Sequence, residues 1–323
     1  MKRARAIQLL RTGNAGLALI LLVAIVALAI ANPAFLTSFN LYVVLTSVAL
    51  WTCVALAQMT TLSTGQMSLS VGSLGGLVAI VVGGLCELWG VPLPLAIAAG
   101  LAVGFAGGFL NGILIATTGI NSFIITLATF SAFHGLTMGL TRAIPFYHMP
   151  ASLKALGNAR FGAVPLMLGI VLVVALVVDL IFQRTRIGRY MLAYGGNATS
   201  AVLSGLSTRK VVIFAHTMSG LLSAIAAILT VGRLQIAQPT IGEDWLIISF
   251  AAPIIGGASL TGGYVSVTGT LLALALLAVI NDALVLLGVD PFWVQVVLGG
   301  LILAVVSVNR LREGRRLGEA IAR

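Results

Sequence analysis

Residues 164–183 read VPLMLGIVLVVALVVDLIFQ, and this stretch decides the fold class because Asp179 is its only charged residue. An α-helix needs an apolar run of about 20 residues to cross the hydrocarbon core of a bilayer. The strands of a membrane barrel would instead show segments of ~10 residues with alternating polarity. The stretch therefore predicts a transmembrane helix.

The same pattern recurs along almost the whole chain. Of its 323 residues, 59% are hydrophobic and 8% are charged, and the mean hydropathy is +1.13. Such a composition is typical of an integral membrane protein. We predict an all-α, polytopic membrane helix bundle of about ten transmembrane helices that forms a single transmembrane domain over residues 1–323. The predicted spans are residues 14–35, 39–61, 66–88, 92–118, 122–141, 164–183, 211–232, 246–260, 264–287 and 291–309.

Three clusters of basic residues set the predicted orientation. Cytoplasmic loops carry an excess of Lys and Arg, and the clusters are separated by even numbers of crossings. Both termini are therefore predicted to be cytoplasmic. The net charge of +10 then reflects topology and attraction to anionic lipid, whereas nucleic-acid binding would need a basic soluble face with stacking aromatics. The clusters are Lys2, Arg3, Arg5 and Arg11; Arg184, Arg186, Arg189, Arg209 and Lys210; and Arg310, Arg312, Arg315 and Arg316.

The N-terminal span resembles a cleavable signal peptide, with a basic start and the triplet Ala29-Ile30-Ala31. Its apolar run, Ala15 to Ala31, is longer than the usual core of about 7–15 residues. Cleavage would also make the charge pattern inconsistent. We therefore expect the first span to be retained.

Glycines recur every four residues in the span 92–118, at Gly100, Gly104, Gly108 and Gly112. This spacing places them on one helix face, where a neighbouring backbone can approach closely. We expect the same tight packing at two further pairs with this spacing, Gly72/Gly76 and Gly135/Gly139.

Two short segments echo each other across five spans. Asn111 and Gly119–Phe123 have counterparts in Asn281 and Gly288–Phe292. An odd number of crossings between copies gives them opposite orientations, as in the inverted repeats of many transporters. We therefore predict an inverted repeat.

The polar insert Thr185–Lys210, TRIGRYMLAYGGNATSAVLSGLSTRK, lies between two apolar spans. It contains Gly188-Arg189-Tyr190, Gly195-Gly196-Asn197 and Leu203-Ser204-Gly205 in this order. In position and pattern, it resembles the coupling loop of ATP-binding-cassette importer permeases, in particular those of the ribose type. The resemblance covers most of residues 40–305 through Leu69–Ser73, Asn111-Gly112, Phe123–Leu127, Ala237–Thr240, Ile255–Leu260 and Gly262-Gly263.

This resemblance, to the branched-chain amino acid/ribose permease superfamily, implies a bacterial inner-membrane permease paired with a second copy or a paralogue. Its implied partners are an ATPase subunit on the inner face and a periplasmic substrate-binding protein that delivers a sugar. A short helix around 197–205, with Gly195-Gly196 as a flexible lead-in, is expected to dock in a groove of the ATPase. The expected coupling residues are Gly188, Arg189, Gly195, Gly196, Asn197, Ser200, Leu203 and Gly205.

Neutral polar residues recur in or at the ends of the spans. Each costs free energy in lipid unless it faces protein or a water-filled cavity. A small neutral polyhydroxylated solute such as a monosaccharide fits this set, and we expect a minority of its members to face the pathway while the rest bind helix backbones. The candidates are Gln58, Gln66, Ser68, Ser70, Ser73, Asn111, Asn121, Thr126, Asn281 and Gln295.

Four basic residues are predicted on the outer side, namely Arg142, Lys154, Arg160 and Arg233. Around the outer mouth of the pathway they would steer an acidic binding protein. The alternative is that they contact lipid headgroups or pair with acidic residues of the chain.

The sequence contains no phosphate-cradling GxxxxGK[ST] loop, HExxH or GxSxG, each of which marks an enzyme or ATPase site. We expect a non-catalytic transport subunit without a metal or cofactor. Two alternatives stay open. One is a secondary transporter of a small polar solute, in which Asp179, Asp282, His134 or His216 would bind an ion. The other is an importer permease for an amino acid or nucleoside.

Overall fold

The computed structural model describes residues 13–290, 293, 295, 296, 299, 300 and 303. Within this part, twelve α-helices account for most of the chain, which confirms the prediction of an all-α bundle. A 3-10 turn at Pro33–Leu36 follows the first helix, and strands β1 (Arg160–Phe161) and β2 (Val164–Pro165) pair as an antiparallel hairpin. The helices are α1 Gly13–Ala31, α2 Ser38–Leu62, α3 Val71–Glu87, α4 Leu93–Thr118, α5 Ser122–Thr141, α6 Ala151–Asn158, α7 Leu166–Arg184, α8 Arg186–Gly196, α9 Ala198–Leu203, α10 Thr208–Leu234, α11 Trp245–Ile255 and α12 Val267–Leu286.

Among the described residues, seven helices are long and apolar enough to cross a membrane: α1, α2, α4, α5, α7, α10 and α12. The helices α3 and α11 are apolar but shorter. These nine correspond to the first nine predicted spans, and the tenth, 291–309, lies largely outside the described residues. The protein is therefore a multi-pass membrane helix bundle.

In two of the predicted spans, 66–88 and 246–260, the helix is shorter than the span. The first helix begins only at Val71. The second is the 11-residue helix α11, which at 1.5 Å per residue covers ~16 Å, about half of the hydrocarbon core. Residues 66–70 precede α3 and residues 235–244 precede α11 without forming helix, and we call these two stretches the interrupted segments.

Residues 237–242 run antiparallel to α3. Ala237 packs at Gly83 near the end of that helix, and Gly242 packs at Gly72 near its start. Between them, a Cβ added at Gly76 would lie 2.7 Å from the carbonyl oxygen of Ile241. The glycines of α3 thus leave room for an irregular backbone inside the bundle, where protein rather than lipid surrounds it.

The glycine face of α4 packs on α10. A Cβ at Gly104 would lie 2.6 Å from the carbonyl oxygen of Gly220, and one at Gly112 would lie 2.7 Å from Cα of Ile213. The predicted close approach of helix backbones is confirmed at Gly104, Gly108 and Gly112, whereas Gly100 packs against side chains.

The same prediction is wrong for Gly135 and Gly139, because no described atom lies within 4 Å of a Cβ at either position. Helix α5 buries its opposite face, which includes Thr126, Phe133 and Thr137. The two glycines therefore lie on the outer face of α5 in this single chain.

Candidate coupling surface and solute pathway

Helix α8 is fixed to the end of α7 by close backbone contact. Thr185 caps α8, because its Oγ1 accepts a hydrogen bond from the backbone N of Gly188 at 3.2 Å. A Cβ at Gly188 would lie 2.6 Å from Cα of Phe182, and Met191 is fully buried. The insert between the two spans is thus a packed helix, with Arg189 and Tyr190 exposed on its outer side.

Helix α9 follows directly and is capped at both ends. Oδ1 of Asn197 accepts from the backbone N of Ser200 at 2.8 Å. At the other end, Gly205 has a φ of +77°, and the next residue, Leu206, donates its N–H to the carbonyl of Ala201 at 3.1 Å. These caps satisfy backbone groups that a short helix leaves free, so α9 holds its shape with little support from the bundle.

Two apolar side chains of α9 project from the protein. Val202 is 56% exposed and Leu203 is 83% exposed. We call this pair the coupling ridge. Large apolar side chains exposed outside the membrane-spanning helices are suited to contact with another protein.

Gly195 and Gly196 do not form the flexible lead-in that we expected. They are the last two residues of α8. A Cβ at Gly195 would lie 2.5 Å from the backbone N of Gly263 and would also meet the carbonyl oxygen of Ser63. Gly195 therefore allows close packing, and neither glycine lies in a non-helical hinge.

Three segments that are far apart in sequence meet at this point. The N–H of Gly263 donates to the carbonyl of Ser63 at 3.1 Å, and a Cβ at Gly262 would lie 2.8 Å from Cα of Gly195. We call Ser63, Gly65, Gly195, Gly262 and Gly263 the glycine junction. It joins the end of α8 to the turn after α2, which leads into residues 66–70, and to the loop that follows α11.

Glycine is required in the junction for backbone conformation as well as for space. Gly65, Gly262 and Gly263 have φ values of +71°, +90° and +84°, a region that residues with a side chain rarely adopt. Gly195 and Gly262-Gly263 lie in the motifs that carry the family resemblance. Their contact could not be predicted, because no local sequence pattern pairs segments so far apart.

Half of the predicted pathway residues form one buried network around residues 66–70. Nδ2 of Asn111 donates to Oγ of Ser70 at 2.8 Å, and the N–H of Leu69 donates to Oγ1 of Thr126 at 3.1 Å. Gln58, with its amide turned to satisfy both partners, donates to the carbonyl of Ser68 at 2.8 Å and accepts from its N–H at 3.2 Å. Thr126 and Gln58 thus bind the irregular backbone before α3, and Asn111 binds the Ser70 side chain beside it.

Of the other five candidates, Ser73 and Gln66 adjoin this network, while Asn121, Asn281 and Gln295 lie apart from it. Ser73 donates to the carbonyl of Ser70 at 3.3 Å, and Asn121 caps α5. Oε1 of Gln66 lies 2.9 Å from Nε2 of the buried His216. Asn281 is half-buried, and Gln295 is exposed.

Two of the four outer basic residues contact the chain itself. The guanidinium carbons of Arg160 and Arg233 lie 5.4 Å and 5.6 Å from the centroid of the Tyr42 ring, within range of a cation-π interaction. The ring thereby connects the β-hairpin and the end of α10 to α2. Arg142 is exposed and Lys154 is half-buried.

The intramembrane carboxylates of the described region have neutral partners. Oδ2 of Asp282 accepts from Nδ2 of the buried Asn40 at 2.7 Å, which connects α12 to α2. Oδ2 of Asp179 accepts from Nε2 of Gln183 at 2.6 Å on an exposed face. In the described residues, no group of three or more His, Cys, Asp or Glu side chains could hold a metal ion.

Together, the multi-pass bundle, its two interrupted segments and the packed helices between α7 and α10 define a membrane transport permease. The family described as "Branched-chain amino acid transport system / permease component" matches residues 40–306. The chain belongs to this family.

Three relatives show which kinds of permease are similar to this chain. The ribose import permease protein RbsC of Bacillus subtilis (strain 168) is 35% identical over 292 residues, which are 90% of each chain. The L-arabinose ABC transporter permease protein AraH of Azospirillum brasilense is 30% identical over 94% of this chain and 89% of its own. The fructose import permease protein FrcC of Rhizobium meliloti is 32% identical over 85% of this chain and 79% of its own.

Proposed function

We propose that the chain is the transmembrane permease subunit of an ATP-binding-cassette importer for a monosaccharide in the bacterial inner membrane. The observation that carries this proposal is the coupling ridge on α9, which is exposed and adjoins a helix joined to the turn after α2 and to the loop after α11. Such a surface suits a cytoplasmic partner whose movement is passed to the membrane helices as rigid-body motion. ATP hydrolysis belongs to that separate partner.

A neutral sugar is the favoured solute for two reasons. The relatives are named for ribose, L-arabinose and fructose. The polar residues of the described spans are mainly amides and hydroxyls, and Asp282 is their only buried carboxylate. Amides and hydroxyls can exchange hydrogen bonds with a polyol without holding it as firmly as a charge would.

The proposed architecture is about ten transmembrane helices with both termini in the cytoplasm and an inverted repeat. Two features support the repeat. Interrupted segments precede both α3 and α11, and the turns after α4 and α12 contain Gly119 and Gly288 with φ values of +68° and +73°. Two such permease chains, two ATPase subunits and a periplasmic binding protein would complete the importer, and the outward Gly135 and Gly139 are available for the second permease chain.

Reconstitution tests the function directly. We expect proteoliposomes holding the permease with its ATPase to take up ribose, L-arabinose or fructose when ATP is inside and the binding protein is outside. Collapsing proton and sodium gradients with ionophores should leave the initial rate unchanged, because the only buried carboxylate of the described spans, Asp282, is hydrogen-bonded to Asn40. Uptake by the permease alone, driven by an ion gradient, would contradict the proposal and favour a secondary transporter.

The outer basic residues give a second expectation. Arg142 and Lys154 make no ion pair or ring contact among the described residues, so they are the better candidates for docking the binding protein. We expect Arg142→Glu with Lys154→Glu to raise the binding-protein concentration for half-maximal uptake about tenfold at low salt. High salt should reduce this effect, because the Debye length falls from about 10 Å at 0.1 M to about 3 Å at 1 M.

The matched control is Arg160→Gln with Arg233→Gln, which removes the cations from the Tyr42 ring. We expect this pair to lower the thermal stability of the permease while keeping the salt dependence of the wild type. If both double variants raise the binding-protein concentration for half-maximal uptake equally at low salt, Arg142 and Lys154 are not specific docking residues.

A further inference from the structure

A cavity of about 350 Å³ opens beside the glycine junction. Its volume lies in the range of small-molecule sites, about 300–1,000 Å³. Four segments line it: Gly65-Gln66, the turn from α4 to α5, Tyr194 of α8 and the first residues of α10. The cavity thus lies between the coupling helices and the bundle, on the side that the charge pattern assigns to the cytoplasm.

The polar wall of the cavity consists mainly of hydrogen-bond donors. Gln66 and Asn121 already use their amide oxygens, because Oε1 of Gln66 lies 2.9 Å from Nε2 of His216 and Oδ1 of Asn121 accepts from the backbone N of Phe123 at 2.8 Å. Their amide nitrogens make no protein hydrogen bond among the described residues. Donors are also provided by Tyr194, Thr208 and Arg209.

The rest of the wall is apolar, and no carboxylate is among the described lining residues. A ligand for this cavity must therefore be rich in acceptor oxygens and carry an apolar face. A monosaccharide has both, because its hydroxyl oxygens can accept from amide, hydroxyl and guanidinium groups while its C–H groups contact aliphatic side chains. The apolar lining residues are Ile115, Ala116, Ile120 and Val212.

We propose that this cavity is a cytoplasmic product site that binds the imported monosaccharide in its free form and thereby slows further transport. The inference rests on the proposed function, since an importer releases its unmodified solute on this side. Tyr194 directly precedes Gly195 of the glycine junction, and Gly65 belongs to both the cavity wall and the junction. A bound sugar would connect the coupling helix to the turn after α2 and oppose their relative movement.

The test uses the complete transporter in proteoliposomes that contain ATP and increasing unlabelled sugar. The probe is whichever of ribose, L-arabinose and fructose supports uptake into vesicles without internal sugar. Initial uptake of the labelled sugar is then measured with the binding protein outside. We expect internal sugar in the millimolar range to inhibit the wild type, and the mirror-image sugar at the same concentration to have no effect.

Two substitutions remove donors from the wall, Thr208→Val and Arg209→Met. Each should raise the internal concentration for half-inhibition at least about tenfold, which corresponds to about 1.4 kcal/mol. Lys210→Met is the matched control, because it removes the neighbouring cation, which does not line the cavity. Internal sugar should inhibit the Lys210→Met variant as strongly as the wild type.

Three results would overturn the product site. The first is normal uptake into vesicles without internal sugar but no inhibition by internal sugar, which leaves the proposed function intact. The second is equal inhibition in Arg209→Met and Lys210→Met. The third is inhibition by the phosphorylated sugar and not by the free sugar. If either wall variant fails to accumulate in the membrane, Tyr194→Phe replaces it, since it removes one hydroxyl and keeps the ring.

Discussion

Leu203→Glu is expected to leave the permease inserted in the membrane and to abolish uptake. Leu203 is 83% exposed on α9, so the substitution disturbs no packing within the chain. In the assembled importer, it would place a carboxylate in an apolar contact with the ATPase. A few central residues of an interface cost at least ~2 kcal/mol when they are replaced. We expect Leu203 to be one of them, so affinity for the ATPase should fall at least about thirtyfold.

Co-purification of the ATPase with tagged permease measures this loss, and uptake in proteoliposomes measures its consequence. Leu203→Met is the matched control, because it keeps an apolar side chain of similar size and should retain both activities. Thr199→Glu controls for charge, because it adds the same negative charge to the first turn of α9, where a carboxylate interacts favourably with the helix dipole. Normal co-purification and uptake by Leu203→Glu would show that the coupling ridge does not contact the ATPase.

The fold class could be predicted from the sequence because hydropathy reports burial in lipid directly. Residues 164–183 became α7 with bounds shifted by one or two residues, and the glycine stripe of α4 packs as its spacing indicated. The late start of α3 was missed for the same reason. Hydropathy alone placed residues 66–70 inside a span, because it does not distinguish a helical backbone from an irregular one.

The candidate site, too, could be predicted from the sequence only in part. The motif Gly195-Gly196-Asn197 marked the correct segment, and Asn197 caps α9 as a short helix there requires. The residue type alone could not show that Gly195 packs against backbone, because a glycine is equally compatible with a flexible hinge. Polar residues in spans were also ambiguous. Thr126 binds the backbone of Leu69 and Asn111 binds the side chain of Ser70, and only tertiary structure separates such roles from contact with a solute.

Gly195→Ala is the sharpest test of how the coupling helices act on the bundle. Its Cβ would lie 2.5 Å from the backbone N of Gly263 and would press on the carbonyl oxygen of Ser63. Both neighbours are backbone and belong to segments held by other contacts, so α8 must move away. The coupling ridge on α9 is unchanged, so the ATPase should still bind and hydrolyse ATP at its basal rate.

Gly195→Ala should lose the coupling between ATP hydrolysis and sugar uptake. We expect stimulation of hydrolysis by the sugar-loaded binding protein to disappear in Gly195→Ala, and uptake to fall by at least about tenfold, the effect of a barrier change of ~1.4 kcal/mol. Gly196→Ala is the matched control, because the nearest described atom to its Cβ is Cα of Gly263 at 3.9 Å. It adds the same methyl group one residue along the same helix and should retain stimulation.

The comparison separates two roles of α8. If the helix only presents the coupling ridge, both alanine variants should behave alike, since neither alters α9. If movement passes through the glycine junction, only Gly195→Ala should hydrolyse ATP without transport. Stimulated hydrolysis by Gly195→Ala at the wild-type level would mean that the ATPase acts on the bundle by another route, such as the contact of Gly188 with the end of α7.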